Sequence, residues 1–428
     1  MNRVSCVHVG DDARDVGQSI GVEDHLVRIL ASVDVLPAEV VGLGDADGRV
    51  LAAEVTSAVD IPPFDNSAMD GYAVRRADVL RASAESPISL PTTLYLPAGP
   101  TEDDPLAPGT AARIMTGAPI PAASDAVIPM EQADSHGDRV VVYALPRPGA
   151  HIRRAGEDIR AGETVLAAGS VLTARHVAAA ASATCTELNV HERPRVAVIS
   201  TGNELVDPGR PLRRGQIPDS NSYLLAAAVR DAGAVPVYVE TVPDDTQALR
   251  DTLTRCAGDV DTFVLSGGVS VGASDVVKAA LGPLGVWFGS VRMQPGEPQG
   301  FGRWTTGQPV FALPGNPVSA FVSFEVFVRP ALRRMQGFPS LQRRRIAAVA
   351  ATGWRCPRGR QQYVPVVIRW EPDPVVTPVS AHRTGRPSRG SGSHLVASLA
   401  LADGIAVIGE DVDEIRERDS VSVMVLTG

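Results

Sequence analysis

From residue 195 onward, short unbroken runs of hydrophobic residues alternate with segments in which hydrophobic positions recur at helical spacing. An unbroken apolar run, such as 196–200, is typical of a strand that is covered on both faces. Alternation of such strands with helices indicates a parallel sheet with right-handed crossovers, as in the α/β class. The predicted strands are 196–200, 235–239, 262–265 and 310–313, and the predicted helices are 220–231, 246–256, 275–281 and 317–335.

The segments that precede this region have a different pattern. A helix is predicted over 22–32, with Leu26, Ile29 and Leu30 on one face. Between residues 38 and 173, short β-prone runs are separated by glycine and proline, which indicates an irregular, mostly β region with one domain inserted into another. The predicted strands there are 50–59, 111–115, 126–130, 140–145 and 163–166, followed by a helix over 173–183.

After residue 337 the chain returns to short strands, predicted at 346–351, 363–370, 404–408 and 421–426. Short strands of similar length need closure to protect their edges, so we expect a small β-barrel. Residues 381–393 are rich in Gly, Ser and Arg and are predicted to form a mobile basic loop.

Charge and composition exclude several classes of protein. The formal charge is −9, whereas a nucleic-acid-binding protein needs a basic face. No segment has the roughly 18 unbroken apolar residues of a membrane span, and the start carries Asp11, Asp12 and Asp15, which does not fit a signal peptide. The cysteines are too few and too scattered for a disulfide framework or a paired-cysteine metal site: Cys6, Cys185, Cys256 and Cys356. We therefore expect a cytoplasmic protein.

Candidate chemistry lies in the loops that follow the predicted strands, because ligands of open α/β sheets bind at the carboxyl ends of strands. These loops are 200–204 (STGNE), 243–245 (PDD), 266–272 (SGGVSVG) and 314–317 (PGNP). Glycine-rich turns that lead into helices expose backbone N–H groups and favour anions. Glu204, Asp244 and Asp275 could hold Mg²⁺ beside a phosphate-bearing ligand. Each loop alone is more often a tight connection or a helix cap, and only their concurrence favours a site.

One competing motif points to a hydrolase. Residues 268–272 (GVSVG) match the G-x-S-x-G nucleophile elbow, with Ser270 as nucleophile and His382 or His394 as a conceivable base. The next helix, however, is predicted to begin near Asp275, and both histidines lie beyond the α/β region. The chain has no P-loop motif and no H-E-x-x-H zinc pair.

The N-terminal half has three further segments rich in polar residues: 62–72 (PPFDNSAMDGY), 113–119 (RIMTGAP) and 151–159 (HIRRAGEDI). The first is too polar for a predicted core strand. The third places Arg153 and Arg154 near Glu157 and Asp158, which suits either a solvated turn with surface ion pairs or a site for phosphate and Mg²⁺.

Six segments in series resemble the molybdopterin molybdenumtransferase family, which also includes the C-terminal domain of gephyrin. They are 62–74 (PPFDNSAMDGYAV), 113–119 (RIMTGAP), 153–159 (RRAGEDI), 200–205 (STGNEL), 266–272 (SGGVSVG) and 313–320 (LPGNPVSA). The resemblance covers residues 21–428 in order. It implies a homodimeric enzyme with a cleft shared between subunits. The enzyme would insert molybdenum from molybdate into adenylylated molybdopterin, with Mg²⁺-dependent release of AMP.

Roles follow from the resemblance at the matching positions. The acidic set for catalysis is Asp158, Glu204, Asp244 and Asp275, of which the last three would also hold the metal. Asp65 and Thr116 would line the cleft from the N-terminal half of the other subunit. The pterin and its phosphate would be held by Ser200, Thr201, Gly202, Ser266, Gly267, Gly268, Ser270, Pro314 and Asn316. Molybdopterin adenylyltransferase and recipient molybdoenzymes are the expected partners, with neither nucleic acid nor membrane.

The resemblance, taken with the patterns above, predicts a multidomain α/β protein. Its expected parts are a mobile start (1–20), a helix that packs on the α/β domain (21–42), an elongated linking domain (43–60 and 158–189), an inserted β-rich domain (61–157), a molybdopterin-binding domain with a parallel sheet (190–337) and a C-terminal β-barrel (338–428).

The chain departs from the family pattern at one place. The family commonly has a K-P-G-K-P stretch, and here the corresponding residues are Gln294, Pro295, Gly296, Glu297 and Pro298. Two ammonium groups that could attract molybdate or phosphate are absent, and Lys278, Arg292 or Arg303 could compensate for them. The departure leaves a second hypothesis open, that of a paralogue that binds molybdopterin without turnover.

Overall fold

The computed structural model describes residues 19–100, 102, 104–269, 275–370, 372–384, 392 and 395–426. The chain forms two compact units, of which the first combines Met1–Glu39 with His191–Gly428. The second, Val40–Val190, is inserted into the first. The multidomain α/β fold with an inserted unit is thus confirmed, while the finer division into smaller domains stays a prediction.

A six-stranded sheet forms the centre of the first unit. Its strands, in spatial order, are Val235–Val242, Arg195–Thr201, Thr262–Ser266, Pro309–Leu313, Pro298–Arg303 and Trp287–Ser290. The first four are parallel, as predicted, and their bounds agree with the sequence to within a few residues. The sheet has two further strands at one edge that the sequence pattern does not predict, and these are antiparallel.

Glycine residues explain why the sequence pattern does not predict the two antiparallel strands. Gly289 and Gly300 lie within the two antiparallel strands, and glycine has a low β propensity. A Cβ at Gly300 would lie 2.6 Å from the ring of Phe288, and one at Gly289 would lie 2.2 Å from the ring of Trp287. The aromatic rings therefore occupy the space above the glycines, and the strands need those glycines in order to pack.

Helices cover both faces of the sheet, and each face has its own hydrophobic core. The helices of this unit are Val22–Ala31, Asn221–Asp231, Thr246–Cys256, Val276–Leu281, Pro317–Ser323 and Arg329–Met335, followed by the short helices Val379–Thr384 and Val396–Leu399. The predicted helix over 317–335 is confirmed, with a π-helical turn at Phe324–Val328. Of the predicted face of the first helix, Leu26 and Ile29 are buried in the same core as Phe327, and Leu30 packs against this core partly buried.

The C-terminal part is the predicted barrel. Its strands are Arg345–Ala350, Gln361–Trp370, Pro374–Pro378, Gly404–Ile408 and Ser420–Val425, and pairing of Gln361–Trp370 with Gly404–Ile408 closes it. The strand Pro374–Pro378 has no counterpart in the prediction, because its two prolines weaken the strand pattern. The predicted loop 381–393 is wrong at its start, since residues 381–384 end a helix. Its remainder, apart from Gly392, lies outside the described residues.

The inserted unit is built around a second six-stranded sheet, in the order Ala126–Pro129, Gly71–Val74, Ala111–Ile114, Ile88–Leu96, Arg139–Val142 and Ala133–His136. The helix Ala174–Ser182 matches its prediction, and its N-cap residue Thr173 forms a capping box with His176. The predicted strand 50–59 is mostly wrong, because only Val55–Thr56 forms a strand, with isolated bridges at Val50 and Leu51. Successive amides there bond to different neighbours: Leu51 to Ser170 and Ala52 to Asn189.

The remaining short strands of the chain are Ala38–Gly42, Asn66–Ser67, Ile152–Arg153, Thr164–Leu166, Glu187–His191, Leu205–Val206, Ile217–Pro218, Met293–Gln294, Trp354–Arg355 and Glu414–Ile415. Within the described ranges, every helix is too short or too polar to cross a bilayer.

Candidate functional site

The carboxyl ends of the parallel strands border a cavity of about 940 Å³. Ser200 and Ser266 pair in register on adjacent strands, and both face this cavity. The structure thus brings together the four loops that the sequence singles out. The predicted site residues that line the cavity are Ser200, Thr201, Gly202, Glu204, Asp244, Ser266, Gly267, Gly268, Asp275, Pro314 and Asn316.

Two glycines, Gly267 and Gly268, form part of the cavity wall with their backbone alone. Gly267 and Gly268 have φ of +94° and +67°, a region that side chains rarely tolerate. A Cβ at Gly267 would lie 2.6 Å from the carbonyl oxygen of Thr201, and one at Gly268 would lie 2.5 Å from Val277. Substitution at either position would push the loop into its neighbours, so the turn requires both glycines.

Three predicted carboxylates border the cavity in different settings. Glu204 is exposed after the first strand, and Asp244 exchanges hydrogen bonds with Asn203. Asp275 is 9% exposed and caps the helix Val276–Leu281, accepting from the amide of Lys278 at 3.3 Å. In the described part of the chain, no three His, Cys, Asp or Glu side chains are grouped so that they could hold a metal ion.

Two buried polar residues of the cavity have no counterpart among the predicted site residues. Asp219 and Asn221 lie at the start of helix Asn221–Asp231 and are 3% and 8% exposed. Asp219 accepts from Ser222 and Thr241, and Asn221 donates to Ser266 and to the carbonyl of Gly315. The sequence Asp-Ser-Asn at the start of a helix usually has only a capping role. The burial of Asp219 and Asn221 beside the cavity indicates an additional role here.

The three polar segments of the N-terminal half meet in the inserted unit. Asn66–Ser67 pairs with Ile152–Arg153, and the amide of Gly117 donates to the carbonyl of Ser67. Asn66 and Ser67 are 6% and 0% exposed, and Gly71–Val74 is a fully buried strand. Most of 62–72 is neither buried nor a strand, in agreement with the inference that it is too polar for a core strand. The exceptions are Asn66–Ser67, whose side chains are hydrogen-bonded and thus tolerate burial, and the first two residues of the strand Gly71–Val74.

Hydrogen bonds favour the ionised form of two acidic residues in this cluster, Asp65 and Asp70. The amide of Ala155, together with the guanidinium of Arg154 at 2.6 Å, lowers the pKa of Asp65 below its usual range. The amide and hydroxyl of Thr116 donate to Asp70 at 2.7 and 2.8 Å and likewise lower the pKa of Asp70.

Three predicted site residues, Asp65, Thr116 and Asp158, lie in this inserted unit, whereas the cavity lies in the first unit. The nucleophile elbow is not supported, because the helix begins at Val276, well after the motif. Ser270 and His394 lie outside the described residues, as does the side chain of His382.

The residues in place of the family's lysines are held by neighbours. Glu297 pairs with Arg360 at 2.6 Å and accepts from Ser290 at 2.8 Å. Arg292 instead pairs with Glu410, and Arg303 donates to backbone carbonyls. The charge of Glu297 is thus balanced by Arg360, while compensation for the missing ammonium groups by Lys278, Arg292 or Arg303 stays a prediction.

Comparison with known proteins covers almost the whole chain. Residues 20–184 match the family described as MoeA N-terminal region (domain I and II), 197–334 match a probable molybdopterin binding domain, and 347–426 match the MoeA C-terminal region (domain IV). The chain is 45% identical over 394 residues to molybdopterin molybdenumtransferase 2 of Mycobacterium tuberculosis, which covers 90% of this chain and 95% of that protein.

Two further relatives agree. The molybdopterin molybdenumtransferase of a Nostoc species is 40% identical over 303 residues, which is 70% of each chain. The crystal structure of the molybdopterin biosynthesis MoeA protein from Pyrococcus horikosii superposes with a TM-score of 0.80 at 31% identity, over 96% of this chain and 100% of that one. The chain therefore belongs to the molybdopterin molybdenumtransferase family and is a transferase of molybdenum cofactor biosynthesis.

Proposed function

We propose that this transferase inserts molybdenum from molybdate into adenylylated molybdopterin and releases AMP in a Mg²⁺-dependent step. The observation that supports this most directly is the cavity at the carboxyl edge of the sheet. Its glycine-rich wall and its carboxylates lie together, as a phosphate-bearing ligand with a cation requires. The cavity volume of about 940 Å³ is also large enough for adenylylated molybdopterin.

Each wall of the cavity has a distinct task in this proposal. The turn at Gly267 and Gly268 lets the ligand approach the backbone closely, since no side chain projects from it. Glu204 is exposed at the cavity and can orient the attacking water, whereas Asp275 is fixed as a helix cap. Rigid placement of this kind lowers the barrier by holding the reacting groups in the required geometry.

The donor set fits Mg²⁺ bound jointly by protein and substrate. Mg²⁺ usually takes one or two carboxylates and completes its shell with water and substrate phosphates. Glu204, Asp244 and Asp275 border the cavity and offer such carboxylates. When bound, the ion would offset the negative charge that develops on the pyrophosphate.

We further propose that the enzyme is a cytoplasmic homodimer. Asp65, Thr116 and Asp158 would reach the cavity from the inserted unit of the second copy. Phe64 and Met69, in the same segment as Asp65, are 44% and 38% exposed, which suits a surface that another molecule covers. Molybdopterin adenylyltransferase would supply the substrate and molybdoenzymes would receive the product. Mixing inactive Asp65→Ala and Glu204→Gln variants should restore activity if subunits share the site, and no recovery would contradict the shared cleft.

The deciding experiment measures AMP release from adenylylated molybdopterin by the purified protein. We expect release that requires both molybdate and Mg²⁺. AMP release that is independent of molybdate, or no release despite binding, would contradict the proposed reaction.

The ion pair of Glu297 with Arg360 favours one alternative, a protein that holds molybdopterin without turnover. Molybdate or phosphate that approaches residue 297 would meet the carboxylate of Glu297, whereas the family has an ammonium group at this position. Tight molybdopterin binding without AMP release, together with a gain of activity in the Gln294→Lys, Glu297→Lys double variant, would support this alternative.

A further inference from the structure

The cavity floor holds two buried serines whose hydroxyl groups have opposite hydrogen-bonding roles. Ser200 and Ser266 are each 1% exposed and pair in register at the ends of adjacent strands. A hydroxyl has one proton to donate and lone pairs to accept with. The residues that already bond to each serine therefore decide what it can offer to a ligand. Asn221 holds Ser266, and Asp219 acts on Ser200 through Ser222.

Asn221 makes Ser266 a donor towards the ligand. Its Nδ2 lies 2.7 Å from the carbonyl oxygen of Gly315 and 2.7 Å from Ser266 Oγ. A carbonyl can only accept, so the NH₂ group of Asn221 must face both partners. Ser266 consequently accepts from Asn221, and its own proton is not used in this bond.

Asp219 makes Ser200 an acceptor towards the ligand. Asp219 Oδ1 accepts from the amide of Ser222 at 3.1 Å, and Oδ2 accepts from the hydroxyls of Thr241, at 2.7 Å, and of Ser222. A carboxylate can only accept, so the single proton of Ser222 is directed at Asp219. In the 2.9 Å contact between Ser222 Oγ and Ser200 Oγ, Ser200 must then be the donor. Its proton is used, and it offers only lone pairs to the cavity.

A donor hydroxyl at Ser266 beside an acceptor hydroxyl at Ser200 distinguishes the phosphate groups of the ligand from its pterin ring. A phosphate group has only acceptors, so it would find a donor at Ser266 but lone pairs at Ser200. The pyrimidinone edge of a pterin carries a ring N–H and an exocyclic amino group beside a carbonyl oxygen, so it complements both serines at once. Unmatched polar groups at a buried site are costly, which makes such a pattern selective.

We infer that Asp219 and Asn221 are positioning residues that give the cavity floor the polarity of a pterin ring edge, so that the ring binds at Ser200 and Ser266 while the phosphates bind elsewhere in the cavity. This inference rests on the proposed function, because it takes molybdopterin as the ligand. It goes further by assigning the ring to one part of the site and by naming two residues that set its specificity.

The test uses Asp219→Asn, which keeps the shape of the side chain and reverses one hydrogen bond. The amide of Ser222 requires an oxygen at the Oδ1 position, so the new NH₂ group must face the hydroxyls of Ser222 and Thr241. Ser222 would then donate to Ser200, and the proton of Ser200 would turn to the ligand. The matched control is Thr241→Val, which removes a bond to Asp219 but leaves Ser200 as an acceptor.

Two probes separate the ring from the phosphates: 6-hydroxymethylpterin, followed by its fluorescence, and inorganic pyrophosphate. We expect Asp219→Asn to weaken pterin binding about tenfold while changing pyrophosphate binding less than about twofold. Thr241→Val should change neither affinity, and the melting temperature of each variant reports on folding. Equal losses for both probes in Asp219→Asn, or no loss of pterin binding, would overturn the inference.

The wild-type protein distinguishes this inference from the proposed function. Binding of intact molybdopterin without any binding of 6-hydroxymethylpterin would overturn the ring assignment and leave the proposed function in place. Failure to bind molybdopterin at all would overturn both.

Discussion

Asn203 and Asp244 exchange hydrogen bonds between the loops that follow two neighbouring strands. The amide of Asn203 donates to Asp244 Oδ2 at 3.0 Å, and the amide of Asp244 donates to Asn203 Oδ1 at 3.1 Å. Each side chain thus holds the backbone of the other loop. The position of Asp244 at the cavity depends on a residue that itself does not line it.

Asn203→Ala should therefore lower AMP release while the protein stays folded. Loss of the acceptor frees the amide of Asp244, and a small misplacement of a catalytic group can cost about 10- to 100-fold in rate. Both residues are exposed, so the melting temperature should change little. Gln247→Ala, which removes an exposed bond to Asp251, is the matched control and should keep full activity. Equal rates for both variants would show that the exchange has no catalytic role.

Glu204→Gln and Asp275→Asn should each abolish Mg²⁺-dependent AMP release and leave the fold intact. Glu204 is exposed, and asparagine caps a helix about as well as aspartate does, so the cap of helix Val276–Leu281 should be retained in Asp275→Asn. Circular dichroism checks the fold, and a Mg²⁺ titration of AMP release checks the metal role. Full activity in both variants would refute the assignment of these carboxylates.

Glu325→Gln should destabilise the first unit strongly. The side chain of Glu325 is 1% exposed and accepts from Arg343 Nε at 2.8 Å, with Arg329 also nearby. Removing one member of a buried ion pair leaves an uncompensated charge and costs about 3–5 kcal/mol. Urea denaturation measures the free energy of unfolding. The control, Glu240→Gln at the exposed pair with Arg255, should lose less than about 1 kcal/mol, and similar losses would contradict the prediction.

His25 should make the protein less stable in weak acid. Burial among Trp287, Phe301 and Phe327 lowers the pKa of His25 to about 3, with a smaller contribution from Arg28. Between pH 6.5 and 3 the unfolded chain binds a proton at His25 that the folded chain does not, so stability falls as the pH falls through this range.

His25→Phe should remove this dependence, because phenylalanine fills the same space without titrating. The stability lost on going from pH 7 to pH 5 should be smaller by about 2 kcal/mol in the variant. Urea denaturation at several pH values gives the comparison. Parallel pH profiles for the two proteins would show that His25 does not govern acid stability.

Most elements of the first unit were predictable because their signals are local. The run around Val198 is apolar on both faces, and Gly233 ends a helix where the pattern changes. The antiparallel edge was not predictable, since Gly289 and Gly300 become strand residues only when the rings of neighbouring residues cover them. That information is a tertiary contact and is absent from any local window.

The cavity was predictable as a meeting of loops, whereas its floor was not. The carboxyl ends of parallel strands necessarily lie at one edge, which places Ser200 beside Ser266 once the strands are known. Asp219 and Asn221 read locally as helix-capping residues, and only the packing of Ser222 and Gly315 against them shows that they act on the floor. The cluster in the inserted unit likewise depends on pairings between distant segments.

The insertion of one unit within the other also fixes the order in which the chain can fold during synthesis. Helix Val22–Ala31 is made early, but Val291 and Phe327, which share its core, follow only after the entire inserted unit. At about 5–20 residues per second, the ribosome needs roughly 15–60 s to synthesise the residues between the helix and Phe327. The inserted unit can therefore fold before the residues that pack against the first helix have been synthesised. During that time the apolar face of the helix is exposed and accessible to chaperones.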